Sequence, residues 1–120
     1  MRKSQRITNP IVIVESPFKG VSASEENRNI RYARAALQDS LLKGETPFAS
    51  HVIYTLDGVL DDSKPEERSL GMQAGWDMMG VADKVVVYTD LGISSGMESG
   101  IKNAKNLGLP IEYRSLEEWA

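Results

Sequence analysis

The sequence predicts an α/β domain of Rossmann-like, flavodoxin-like type, a three-layer sandwich on a four-stranded parallel sheet of order 2-1-3-4. Two runs, Ile11-Val12-Ile13-Val14 and Val85-Val86-Val87-Tyr88, are continuously apolar and mostly β-branched, as strands covered on both faces are. Stretches with helical apolar spacing separate them, and strands that alternate with helices pair in parallel through right-handed crossovers. A chain of 120 residues fits one such domain, expected to span residues 1–120 with 1–8 flexible.

The first strand follows the turn-forming Thr8-Asn9-Pro10 and ends at Glu15-Ser16-Pro17-Phe18-Lys19-Gly20. Either Ser22, paired with Glu25, or Ser24 offers a helix N-cap, and Ile30, Ala33, Leu37 and Leu41 then repeat at helical spacing until Gly44. Phe48 to Thr55 reads as a second strand with His51 and Tyr54 near its carboxyl end. After the polar stretch from Asp57 to Pro65, Glu66 and Glu67 suit a helical first turn, and Leu70, Ala74 and Met78 mark one face. Gly71 and Gly75 weaken that helix by about 1 kcal/mol each, which points to close packing against the sheet or a partner.

The strand ending at Tyr88 leads through Asp90 to Ser95 into a third helix, with Met97, Ile101, Ala104 and Leu107 as its stripe and Gly108 as its cap. Pro110 to Tyr113 forms an outer fourth strand. Ser115, Glu117, Glu118 and Trp119 offer one further helical turn.

Lysine and arginine number 14 against 17 acidic residues, so there is no electrostatic footprint for nucleic acid. With no cysteine, a disulfide framework, a thiolate nucleophile and a cysteine-ligated zinc are excluded. No apolar stretch is long enough for a bilayer and no signal-peptide core opens the chain, so no membrane partner and a cytoplasmic location are expected. The basic Met1-to-Arg6 stretch reads as a solubilising tail. No cofactor and no metal are expected.

In sheets of this order the ligand lies outside the strands' carboxyl ends, where the winding reverses between the first and third strands. That rule gathers Ser16, Pro17, Phe18, Lys19, His51 and the segment Asp90 to Gly96. Gly92, Ser94, Ser95, Gly96 and Met97 open the third helix, where bare amides and the helix dipole favour an anion; the plainer reading is ordinary capping. Neither a Walker loop nor a dinucleotide fingerprint is present. A receiver domain would need an acidic pair after the first strand, and Glu15 stands alone there. Phe18 is placed to stack on a base or to cover the core edge, and Ser16 to bond a hydroxyl. His51 suits a phosphate contact or proton transfer, although isolated histidines are more often structural. Asp61 and Asp62 suit a ribose or metal, or simply turn and cap. Met72, Met78, Met79 and Met97 read as core fillers, Trp76 and Trp119 as interface aromatics of a homo-oligomer.

Taken in order and spacing, several of these segments resemble the nucleoside 2-deoxyribosyltransferase-like superfamily, in particular its small, often phage-encoded members. The likeness rests on Glu15-Ser16-Pro17-Phe18, Asn29 to Ala35, His51-Val52-Ile53-Tyr54, Leu60-Asp61-Asp62 with Pro65 to Arg68, Ile93 to Met97, and Leu109 to Tyr113. It implies a nucleoside or nucleotide ligand, with Phe18 beside the base, Ser94 on phosphate or sugar and His51 near a phosphate. Catalytic relatives hydrolyse or transfer at the N-glycosidic bond, using a glutamate early in the third helix against the anomeric carbon. A carboxylate suits an oxocarbenium-like transition state. Counting back from Ala104, however, puts Gly100 at that position. Glu98, two residues earlier, is turned by roughly 200° and serves only if the helix starts later. Glu98 and Asp90 are the candidate catalytic carboxylates, with Glu15 a further one from another direction. The alternative expectation is a non-catalytic protein that senses or sequesters a nucleotide-derived metabolite.

Overall fold

The computed structural model describes residues 8–116 and Trp119. Strands β1 (Ile11–Glu15), β2 (Thr46–Phe48), β3 (Lys84–Tyr88) and β4 (Ile111–Arg114) alternate with helices α1 (Ala23–Leu42), α2 (Ser50–Ile53), α3 (Pro65–Met79) and α4 (Ser95–Asn106). The sheet is parallel throughout, in the expected order β2-β1-β3-β4. Because strand side chains alternate, the two central strands feed two cores. Val12, Val14, Val86 and Tyr88 pack with Tyr32 and Ala36 of α1. Ile13, Val85 and Val87 pack with Met79 of α3 and Met97, Ile101 and Ala104 of α4. The result is three layers, with α1 on one face and α3 and α4 on the other.

Ser22 is the N-cap of α1, its hydroxyl accepting from the Glu25 amide at 3.2 Å. The buried side of α1 is Asn29, Tyr32, Ala33, Ala36 and Ser40, whereas Leu41 is exposed.

 The apolar spacing points to a neighbouring stripe because two of these buried positions are polar: Asn29 holds the loop after β1, and Ser40 donates to Glu45 at 2.7 Å.

The second strand departs from expectation. Instead of one strand from Phe48 to Thr55, β2 ends at Phe48 and the chain winds into the single turn α2, where the Tyr54 amide donates to the Ser50 carbonyl at 2.9 Å. The β-branched Val52 and Ile53 favour a strand by propensity, but Val52 packs against the α1-side core from this helical turn. His51 therefore belongs to a helix beyond the strand end. In α3 the packed side is formed by Gly75 and Met79 rather than by Leu70, which is exposed. A methyl group at Gly75 would stand 2.7 Å from Ser50 Oγ, so the glycine admits α2 against α3. In α4 the stripe is Met97, Gly100, Ile101 and Ala104, and Leu107 lies exposed beyond it.

Arg114 closes the outer strand onto the sheet through a bidentate pair with Glu45 at 2.8 and 2.6 Å. Lys84 joins Glu45 at 2.9 Å and Glu112 at 3.0 Å, and Arg114 also reaches Glu112. Ser115 and Leu116 have no regular structure. Trp119 packs edge-on against Tyr32 at 4.9 Å, and Trp76 packs on the α4-side core, so each expected interface aromatic has a place within the chain. The expected basic tail and the Glu117-Glu118 part of the last turn lie outside the described residues. Among the described residues no helix is long and apolar enough to cross a membrane.

Candidate functional site

A cavity of about 360 Å³ opens between the carboxyl end of β1, the loop after it, α2, α3 and the start of α4. Its volume falls within the range of small-molecule sites. Ser16, Phe18, Lys19, His51 and Asp62 line it, together with Ser94, Ser95, Gly96 and Met97, so nine of the residues expected to bind ligand share one wall.

Each is held by local structure. Asn29 of α1 donates to the Phe18 and Lys19 carbonyls at 3.0 and 3.2 Å, fixing the loop that carries them. Phe18 meets the His51 ring edge-on at 6.1 Å, and Ser16 Oγ lies 2.8 Å from His51 Nε2. Burial holds the imidazole neutral, lowering its pKa to about 4. Ser94 caps α4, its hydroxyl accepting from the Met97 amide at 3.3 Å. The capping use of Ser94 and the cavity position coexist, so both readings of this turn apply to it. Asp62 lies 4.0 Å from both Lys19 and Arg68, which balances its charge at the cavity mouth.

Four expected residues fall elsewhere. Pro17 is buried but not in the cavity wall. Gly92 has φ +85°, a left-handed turn that favours glycine, and its amide donates to Thr89. Asp90 is committed to other partners: its carboxylate accepts from Tyr32 at 2.5 Å and from the Leu116 amide at 2.8 Å. Glu98 is exposed on α4 and outside the cavity, because the helix starts at Ser95 and its buried side carries Met97, Gly100 and Ile101.

Of the three carboxylates considered for catalysis in the sequence, Glu15 alone lies in the cavity wall. Alternation along β1 turns it to the same face as Ile13, under α4. Its carboxyl lies against Gly100, where a methyl group would stand 2.7 Å from Glu15 Cδ. No hydrogen-bond donor or cation among the described residues engages this carboxyl, and burial pushes its pKa up to about 8. From α3, Glu67, Arg68, Gly71, Met72, Gly75 and Trp76 complete the wall. Their spacing of three and four is a helical face legible in the sequence, and Gly71 and Gly75 were its signal.

Fold and cavity together define a Rossmann-like α/β protein with a crevice at the carboxyl edge of its sheet. The chain belongs to the family described as Domain of unknown function (DUF7768), whose model matches residues 10–114. Among solved structures it is similar to the 2-deoxyribosyltransferase of the psychrotolerant bacterium Bacillus psychrosaccharolyticus. The identity is 18% and the TM-score 0.61, over 92% of this chain and 75% of that one, a likeness of fold. No curated protein matches the sequence.

Proposed function

We propose that the protein binds a nucleoside or nucleoside monophosphate in this cavity and acts on its N-glycosidic bond. The observation that carries the reading is the joint placement of Phe18, the Ser16 and His51 pair and the amide-rich start of α4 around one cavity. Phe18 offers its ring to the base. Ser16 and neutral His51 present hydrogen-bonding groups to sugar hydroxyls, and Ser94 to Gly96 with the α4 dipole favour a phosphate. The shared fold with a deoxyribosyltransferase supports this choice of ligand class.

A second reading is a binder that senses or sequesters such a ligand. It is favoured by Gly100, which stands where the resemblance expects a glutamate, and by the position of Glu98 outside the cavity. Calorimetry with deoxynucleosides, ribonucleosides and their monophosphates, followed by chromatography for free base, separates the two. Binding with base release supports the enzyme, and binding without release supports the sequestering protein. No binding across the panel refutes both.

A further inference from the structure

We propose that Glu15 is the group that carries the proton in cleavage of the N-glycosidic bond, its carboxyl on β1 occupying the space that Gly100 leaves open on α4. The inference rests on the nucleoside reading of the cavity and gives that site its reactive residue.

Three observations support the assignment. Glu15 is the last residue of a central strand, and its carboxyl lies in the cavity wall against the α4 backbone. A Cβ at position 100 would stand 2.7 Å from Glu15 Cδ, so the carboxyl keeps this place only beside a glycine. The other acids of the wall are engaged: Asp62 with Lys19 and Arg68, Glu67 with Lys64 at 3.6 Å and the Asp61 amide at 3.0 Å. Glu15 has no such partner among the described residues, so its proton is available to a ligand.

The step balances with water as the only co-reactant. The C1′–N bond breaks with its electron pair on the base, which takes the proton of the Glu15 carboxyl. Water adds to C1′ and releases a proton, which returns to the Glu15 carboxylate. A carboxyl that titrates near 8 holds its proton, and is uncharged, at neutral pH, as a general acid must be. The titratable groups that share its cavity are His51 of α2, Tyr54 just after it, Lys19 and Asp62 of the flanking loops, and Glu67 and Arg68 of α3. From α4 the wall receives Ser94 to Met97 and Gly100, none of them ionisable.

The test measures free-base release and calorimetric binding of the same nucleosides on wild type and Glu15→Gln. Glutamine keeps the size and a donor but has no proton to give. Release is expected to fall by about 10² to 10⁴-fold while binding changes less than about threefold. On wild type, kcat/KM is expected to fall about tenfold per pH unit above 8, a readout that needs no variant. Wild-type release by Glu15→Gln, loss on Glu98→Gln instead, or a rate that rises through pH 8 overturns the assignment and leaves the nucleoside reading standing. Tight binding without release by wild type also overturns it, in favour of the sequestering protein. Absence of binding by wild type overturns both.

Discussion

Replacing Glu15 by glutamine removes one titration from the folded protein and keeps the cavity wall nearly unchanged in shape. The carboxyl moves from an ordinary 4.5 to about 8 because burial disfavours its charge. A raised carboxyl pKa means the folded state holds the proton more tightly than the unfolded chain. Stability is therefore full below about pH 4.5 and is lost as pH rises through the window to 8. At 1.36 kcal/mol per unit the whole shift is about 5 kcal/mol. Water entering the open cavity reduces this, and ~2–3 kcal/mol is expected, or roughly 10 °C in Tm for a domain of this size. The assay is thermal unfolding of both proteins from pH 5 to 9, read as the difference between them. His51 cancels in that difference; its lowered pKa has the opposite sign, with stability present above about 6.5 and lost as pH falls to about 4. Wild type is expected to lose its Tm relative to Glu15→Gln as pH rises. Parallel curves would refute a buried, unpartnered carboxyl at this position.

Gly100→Ala is expected to destabilise by ~1–3 kcal/mol, against the ~1 kcal/mol that alanine gains in a helix, because the methyl meets the Glu15 carboxyl. Chemical denaturation should show that Glu15→Ala in the same chain recovers most of it. Glu45→Gln should cost ~2–4 kcal/mol in the same assay, since it leaves the buried Arg114 guanidinium without its bidentate partner. The Arg114 pair holds Glu45 at about 2, so its contribution is present above about pH 4.5 and fades as pH falls toward 2. Phe18→Ala should weaken nucleoside binding about tenfold by calorimetry. Asn29→Ala, which frees the Phe18 and Lys19 carbonyls, should weaken it several-fold without touching the ligand.

The sheet was legible because β1 and β3 are buried on both faces and their β-branched runs have no amphipathic competitor. The edge strand β2 ends earlier than its sequence suggests, since propensity at Val52 and Ile53 cannot register that packing against α1 and α3 bends the chain into α2. The loops of the cavity are legible from topology, which sends Ser16 to Lys19 and Ser94 to Met97 to one sheet edge. The candidate carboxylates are harder to place from sequence. Glu98 and Asp90 lie near the α4 turn in sequence, but helical rotation turns one outward and hydrogen bonds from Tyr32 and Leu116 engage the other. The contact of Glu15 with Gly100 spans 85 residues of chain and leaves no local pattern, so it becomes visible only in three dimensions.

The most direct test of the account is a crystal structure with a deoxynucleoside bound to Glu15→Gln. The account predicts the base against Phe18, the sugar between Ser16 and the start of α4, and C1′ facing the residue-15 side chain. A nucleoside bound elsewhere, or an empty cavity at saturating ligand, would contradict it.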